Sequence, residues 1–428
     1  MRQPTEVVAD FGLEFQHFID DMIETMRGAN GIGLAAPQVG KSQKIIVCEF
    51  AGDKESKLPP IPLTVLCNPA ITDYSKVKKN MVEGCLSFPG IELLIKRPKK
   101  VTVKGVDRYG KKIEIKADNL YARVLQHEID HLDGVLLPDR LQQINVIFIG
   151  TGTLGLPSLE AMAKDPQYTI KLVVTGEVEG KKSRREVKNP VLELARKHNL
   201  PILAVKNIND PEITAKIKRL KPDIGIMADF GQIIQEEVLN IPKHGIVNIH
   251  PSLLPRHRGP SPVQQTILDG DEETGVSLIL TGKKMDAGGV IAQASAKLTG
   301  SETTSILKDY LAKGGASLLL NSIPYYIAGD LKPETQDEKK AAYTHLFTKT
   351  DGLVDKESPA IEVERKIRAF CEWPKVTIIK NNKSIQLLAA HLDPEGRLVI
   401  DRVKPEGKQE MSYEEYLRGY KTALTFKG

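Results

Sequence analysis

Cysteine, tryptophan and long apolar runs are what this 428-residue chain has least of. Its cysteines, Cys48, Cys67, Cys85 and Cys371, form no C-x-x-C pair. Cysteine this sparse excludes a disulfide scaffold and suits a reducing compartment, where a lone thiol is a ligand, a nucleophile or a small apolar side chain. No apolar run approaches the roughly 20 residues that cross a bilayer. The opening MRQPTEVVADFG lacks the apolar centre of a secretory signal. A cytoplasmic protein without membrane or DNA partners is therefore expected. Charge of one sign is also scarce: 60 Lys and Arg face 55 Asp and Glu, a net +5 that only weakly favours a polyanionic partner. At roughly 150 residues per domain, the length allows about three domains.

What is present gathers in residues 121–152, YARVLQHEIDHLDGVLLPDRLQQINVIFIGTG. The first half reads as a helix that Asp118 or Asn119 can cap and Gly134 can end. Leu120, Val124, His127 and His131 share one stripe of it, so both imidazoles point where the apolar face points. Two histidines at i, i+4 can hold one metal ion, and Glu128 beside them can act as general base on a metal-bound water. The bland alternative is a pair of core histidines. No further histidine or glutamate follows at zincin spacing, which leaves Cys85 as the candidate third ligand.

Upstream, residues 13–27 place Phe15, Phe18, Ile19, Met22, Ile23 and Met26 on one helical stripe. GIGLAAPQVG (31–40) reads as a tight turn ahead of a strand at 44–50. Its Gln38 carries an amide able to donate to a developing oxyanion. EGCLSFPG (83–90) sets Cys85 beside Gly84, where backbone can approach a ligand closely. Residues 101–117 alternate about Tyr109-Gly110 as a hairpin.

Together GIGLAAPQ, EGCLS and HEIDH resemble the three signature motifs of the peptide deformylases, over about residues 1–142. The resemblance implies an α+β metal-hydrolase domain with Cys85, His127 and His131 as ligands of Fe²⁺, or of Zn²⁺ or another divalent metal. It implies Glu128 as proton carrier from the water to the leaving amine. Gln38 and the backbone N–H of Leu86 would hold the oxyanion. The substrate would be the N-formyl group on the initiator methionine of nascent peptides, close to the ribosome. Family members usually carry a segment ahead of the RQP tract, and this chain begins there. A less stable first domain, or an inactive scaffold ahead of a transferase, is thus an alternative expectation.

From Ile144 the pattern becomes β-α-β, the opening of a parallel sheet: a strand, a helix at 156–164 and a strand at 169–176. Gly150-x-Gly152-x-x-Gly155, with Glu177 near the acidic position, satisfies the dinucleotide fingerprint. NAD binding is one reading of it and tight strand–helix packing the other. A helix at 191–198, strands at 202–205 and 224–228, and a helix after Phe230-Gly231-Gln232 follow. In GIVNIHPSLLPRHRGPSPVQQTIL (245–268), Asn248 and His250 share one face of a strand end, where open α/β sheets place their chemistry. The prolines beyond them predict a stiff, exposed loop. Asp286 falls in a turn between two strands. Asn, His and Asp without a nucleophile suggest a polarised carbonyl plus proton transfer, and a hydrogen-bonded turn cluster is the bland alternative.

From about Ile144 onward, NIHPSLLPRHRG and MDAGG resemble the methionyl-tRNA formyltransferase family. That implies a Rossmann-like parallel-sheet domain over 143–331, with 10-formyltetrahydrofolate held partly by Ser252, Leu253, Leu254 and Pro255. Asn248 and His250 would stabilise the oxyanion as the methionyl amine attacks the formyl carbon. Asp286 would set the state of His250 and help remove the amine proton. The same triad occurs in small-molecule formyltransferases that act on glycinamide ribonucleotide, so it fixes the reaction and leaves the acceptor open. Lys181, Lys182, Arg184, Arg185 and Lys188 form a basic run where the family has a tRNA-contacting insertion. Residues 332–352 are polar and read as a linker. Short alternating strands over 353–428 fit a small OB-like β-barrel, and IRAFCEWP together with the C-terminal tract resembles the family's tRNA-binding domain. Charge gives that last assignment no independent support: from Glu334 onward 17 Lys and Arg face 16 Asp and Glu. The expected whole is a bifunctional translation-initiation enzyme acting on initiator methionyl-tRNA and N-formylmethionyl peptides.

Overall fold

A computed structural model describes residues 1–3, 5–177, 189–380, 382–420 and 423–427. The basic run from Lys181 to Lys188 lies outside the described residues. The chain separates into two compact units, Met1–Gln142 and Gln143–Gly428. No helix among the described residues is long and apolar enough to cross a membrane.

The first unit holds α1 (Leu13–Gly28), β1 (Gly33–Ala35), β2 (Ile45–Phe50), β3 (Ile61–Tyr74), β4 (Lys78–Gly84), β5 (Glu92–Pro98), β6 (Lys100–Val106), β7 (Lys112–Asp118) and α2 (Asn119–Leu132). Five strands form an antiparallel sheet in the order β1-β2-β3-β6-β7, and β4-β5 is a separate hairpin. Alternation along β2 sorts the core, since successive side chains of a strand face opposite ways. Ile45 and Val47 pack with Ile19, Met22, Ile23 and Met26 of α1, whereas Ile46 and Cys48 pack with Val124, Leu125 and Ile129 of α2. The turn expected at 31–40 contains a short strand, β1, paired with β2 through Leu34 and Val47. Gly33 permits it, because a Cβ there would strike the Glu128 carboxylate. Asp118 occupies the N-cap of α2 without capping it; its carboxylate lies 3.5 Å from Lys100 Nζ instead.

The second unit continues with β8 (Ile144–Gly150), α3 (Leu156–Lys164), β9 (Tyr168–Gly176), α4 (Pro190–Lys197), β10 (Ile202–Val205), α5 (Pro211–Arg219), β11 (Ile224–Ala228), α6 (Glu236–Leu239), β12 (Ile246–His250), α7 (Pro262–Asp269), β13 (Glu273–Leu280), β14 (Val290–Lys297) and α8 (Thr304–Ala328). The seven-stranded sheet runs β10-β9-β8-β11-β12-β13-β14. Its first five strands are parallel, and β13 and β14 are antiparallel. A parallel sheet is covered on both faces, and β8 shows why its sequence is nearly all apolar. Val146 and Phe148 pack toward α3 and α8, while Ile147 and Ile149 pack toward α5 and α6. The order of the parallel strands reverses between β8 and β11, the arrangement that opens a crevice beyond the strand C-termini.

The fingerprint glycines serve packing. A Cβ on Gly150 would lie 2.6 Å from the Ala228 carbonyl oxygen, and one on Gly155 would lie 2.7 Å from the Phe148 ring.

Residues 331–352 carry no long helix or strand, yet they do not hang free. Glu334 bridges to Val290, and Tyr343 to Arg258. Phe347 is buried and stacks edge-on against Phe370, with ring centroids 4.9 Å apart. A small β domain follows: β15 (Leu353–Val354), α9 (Ala360–Ala369), β16 (Val376–Lys380), β17 (Lys383–Leu392), β18 (Leu398–Pro405), β19 (Met411–Ser412) and α10 (Tyr413–Tyr420). Its strands are hydrogen-bonded in sequence order.

Candidate active sites

In the first unit the hairpin β4-β5 and the helix α2 each deliver part of one site. The loop joining β4 to β5 holds Cys85, and α2 presents His127, Glu128 and His131. Ligand atoms of Cys85, His127 and His131 all lie within 4.8 Å of one another, and Cys85 Sγ is 3.3 Å from His131 Nε2. Glu83, at the end of β4, holds His127 in place: its Oε2 is 3.0 Å from His127 Nδ1. A carboxylate can only accept, so this bond places a proton on Nδ1 and turns the Nε2 edge of the ring toward the cluster.

Glu83 is itself buried and accepts from Arg97 at 2.7 and 3.0 Å and from Arg123. Arg97 also reaches Asp130 of α2 at 2.7 Å, and Asp130 accepts from Arg140 at 2.5 and 2.9 Å. Burial alone would raise Glu83, but the bonds from His127 and Arg97 and the two guanidinium charges overcome it and hold the carboxyl at about 2. Burial likewise opposes ionisation of Cys85, yet hydrogen bonds with both imidazoles bring the thiol down to about 5. Glu128 is the opposite case. Its carboxyl is buried with Oε2 lacking any partner among the described residues, and burial pushes it up to about 7 against the pull of the two histidines.

A thiolate and two imidazoles around an unpartnered buried carboxylate fit a divalent transition metal well. Gln38 accepts from the Ala35 N–H at 2.8 Å, and its Nε2 lies 3.1 Å from Ser87 Oγ and 3.8 Å from Cys85 Sγ. The Leu86 N–H makes no hydrogen bond among the described residues, and Leu86 is 40% exposed.

In the second unit, Asn248 and His250 stand on one face at the C-terminal end of β12. Asp286 meets them from the β13–β14 loop, in a left-handed backbone conformation with φ +48°. Asn248 Nδ2 is 3.4 Å from Asp286 Oδ1, His250 Nδ1 is 3.6 Å from Asp286 Oδ2, and the Gly259 N–H donates to the same Oδ2 at 2.9 Å. His250 Nε2 lies 3.0 Å from the His257 carbonyl oxygen. A carbonyl only accepts, so this bond assigns the ring proton to Nε2 and leaves Nδ1 as a lone pair beside Asp286. Burial pushes His250 below the ordinary histidine range, against Asp286, which favours the charged ring.

The loop after His250, expected to be exposed, is instead largely buried. Ser252, Leu254, His257 and Arg258 are buried. The Ser252 hydroxyl donates to the Arg256 carbonyl at 2.7 Å, and Ser277 Oγ anchors both the Ser252 carbonyl (2.6 Å) and the Leu254 N–H (3.1 Å). Side chains of Ser252 and Leu254 thus shape the loop from within. Leu253 and Pro255 are half-buried.

Gln336, which donates to the Asp286 carbonyl, and Arg258, which donates to Gln336, carry no motif of their own in the sequence. A lone arginine and a lone glutamine in polar tracts carry no periodicity that could mark them.

Sheet order, switch point and an Asn-His-Asp cluster at the strand ends define the second unit as a one-carbon transferase of the formyl transferase class. Residues 142–323 match the family model "Formyl transferase" and residues 347–397 match "Formyl transferase, C-terminal domain". Residues 1–146 match "Polypeptide deformylase". The methionyl-tRNA formyltransferase of Roseiflexus castenholzii is 34% identical over 300 residues, covering 64% of this chain and 96% of that protein. Its counterpart from Roseiflexus sp. is 36% identical over 260 residues, covering 60% and 78%. Among solved structures, a Legionella pneumophila peptide deformylase shares 43% identity over 33% of this chain and 79% of its own, with a TM-score of 0.30. The chain belongs to the methionyl-tRNA formyltransferase family, and it carries a unit of the polypeptide deformylase family ahead of the transferase.

Proposed function

We propose that the two units catalyse opposite reactions of translation initiation. The second places a formyl group from 10-formyltetrahydrofolate on initiator methionyl-tRNA. The first removes formyl from the N-terminal methionine of nascent peptides. The observation that carries this reading is that one chain holds both constellations complete: Cys85, His127, His131 and Glu128 in one unit, Asn248, His250 and Asp286 in the other.

In the first unit, Cys85, His127 and His131 would hold Fe²⁺ or Zn²⁺, which supplies Lewis acidity toward the formyl oxygen and toward water. Glu128 takes a proton from the attacking water and passes it to the peptide amine as the formyl C–N bond breaks, releasing formate. The Gln38 amide and the Leu86 N–H would donate to the carbonyl oxygen as it gains charge.

In the second unit, the methionyl amine attacks the formyl carbon and Asn248 donates to the oxygen. The neutral His250 ring can accept the amine proton at Nδ1, with Asp286 steadying the charge, and it then becomes a second donor to that oxygen. Breakage of the bond to the folate nitrogen, which receives the proton His250 took from the amine, completes transfer. The loop from Ser252 to Pro255 forms one wall for the donor.

The test is both activities on one purified chain. A strong chelator is expected to abolish formate release from formyl-Met-Ala-Ser while transfer to methionyl-tRNA continues unchanged. Transfer without deformylation by the metal-loaded chain would reduce the first unit to a scaffold. Transfer to glycinamide ribonucleotide but not to methionyl-tRNA would reassign the second.

A pH profile probes the His250 assignment separately. The ring must start neutral, and burial lowers its proton affinity. As pH falls, the ring therefore costs activity only below the ordinary histidine range of about 6.5. The methionyl α-amino group titrates at about 7.7–8.0, so its titration is measured on the free aminoacyl-tRNA and divided out of transfer kcat/KM. The corrected profile should stay level from pH 8 down to about 6.5. A remaining acid limb centred above that value would contradict a neutral resting ring.

A further inference from the structure

The polar stretch 332–352 connects the catalytic sheet to the small β domain, and it also hydrogen-bonds the two loops that flank the transfer site. Gln336 is buried there. Its Nε2 donates to the carbonyls of Asp286 (2.8 Å) and Gly288 (2.7 Å), and its Oε1 accepts from Arg258 Nε (3.0 Å) and Nη2 (2.9 Å). One amide thereby joins the loop carrying Asp286 to the loop following His250.

Arg258 has no exposed side-chain surface, and its remaining donors reach Glu338 at 2.8 and 3.1 Å and the Tyr343 hydroxyl at 2.9 Å, all on the connecting stretch. The backbone is pinned as well: Arg258 N–H donates to the Ala342 carbonyl (2.8 Å), and Thr344 N–H donates to the Arg258 carbonyl (2.7 Å). The residues on either side of Arg258 touch the site directly. The His257 carbonyl accepts from His250, and the Gly259 N–H donates to Asp286.

We propose that Gln336 is a positioning residue for formyl transfer, holding Asp286 in register with His250 from a segment that otherwise serves as connection. This rests on the roles given to His250 and Asp286 above. The chemistry requires an amide. Arg258 needs an acceptor and the two carbonyls need donors; a carboxylate supplies only the first and an ammonium only the second. Asparagine is one methylene too short to reach both loops.

A carboxylate left to face two carbonyl oxygens would push the Asp286 loop away. A displacement of about 1 Å at reacting groups costs up to about 10²-fold in rate.

The experiment compares Gln336→Glu and Gln336→Met with wild type as full-length chains. Transfer is measured with methionyl-tRNA and 10-formyltetrahydrofolate, and deformylation of formyl-Met-Ala-Ser serves as the internal control. Both variants are expected to lose about 10- to 100-fold in transfer kcat, with KM for either substrate within about twofold of wild type and deformylation unchanged.

Gln336→Glu keeps the acceptor for Arg258, so it decides the question if Gln336→Met lowers the melting temperature. Either a wild-type kcat in Gln336→Glu, or a loss carried mainly by KM, would overturn the proposal. Absence of transfer in the wild-type chain would instead defeat the underlying assignment of the site.

Discussion

Asp286→Asn is expected to lower formyl transfer by about 10²- to 10⁴-fold, the range for removing a group that handles a proton in the transition state. The substitution is nearly isosteric. Asparagine tolerates the left-handed backbone found at this position, and its oxygen can still accept from the Gly259 N–H. What disappears is the negative charge beside His250 Nδ1. A ring that takes the amine proton then has nothing to steady it in a buried place, where an uncompensated charge is expensive. Substrate binding does not use that charge, so the loss should fall on kcat, with KM for methionyl-tRNA and for the folate donor little changed. Near-normal transfer by the variant would remove Asp286 from the mechanism.

Glu128→Ala should lower deformylation by a similar factor, about 10²- to 10⁴-fold, while transfer by the same molecule is untouched. The carboxylate is not one of the three clustered ligands, so one metal ion per chain should still be found by elemental analysis. Glu128 Oε2 is buried and unpartnered, and such a group costs stability rather than supplying it. The variant should consequently fold as well as wild type. Loss of metal along with activity would show that Glu128 supports the ligands and would end its assignment as proton carrier.

Much of this arrangement was legible in the sequence because local pattern dictated it. The stripe of α1, the helix carrying both histidines, α3, and the shared face of Asn248 and His250 follow from periods of 3.6 or 2, while β8 and β11 show as short apolar runs. Other elements were not legible, for identifiable reasons. The long helix α8 is packed against the sheet and α3 with apolar residues distributed around its axis, so no amphipathic stripe announces it. The helix expected after Gln232 shrinks to Glu236–Leu239, while the loop before it is held by side chains, with Gln232 accepting from the Ile208 N–H at 2.9 Å and Asn209 from the Gln235 N–H at 2.8 Å. The loop after His250 carries prolines as exposed loops do, yet it is buried through Ser277, a partner 25 residues further along. The role of the 332–352 stretch was the least visible. Its apolar anchors are few, and it is held by buried polar bonds to Arg258, Asp286 and Gly288. Those contacts join positions about 50 to 80 residues apart, and no single-chain periodicity reports them.

The manner in which β4-β5 is fastened to α2 has a consequence for how the first site is filled. Glu83 and Arg97 belong to the hairpin; Arg123, His127 and Asp130 belong to the helix. The two elements are riveted by buried charges that satisfy one another, and stripping one partner from such a set costs about 3–5 kcal/mol. The rivets do not depend on the ion. His127 and the helix that also carries His131 are therefore fastened to the hairpin by bonds that do not involve the ion, and the first unit is a socket rather than a clasp that closes around its cargo. Metal exchange in such a socket needs no refolding of the hairpin. Occupancy then follows which divalent ion the cell supplies, and the deformylating half of the chain can be set by metal supply while the formylating half runs on.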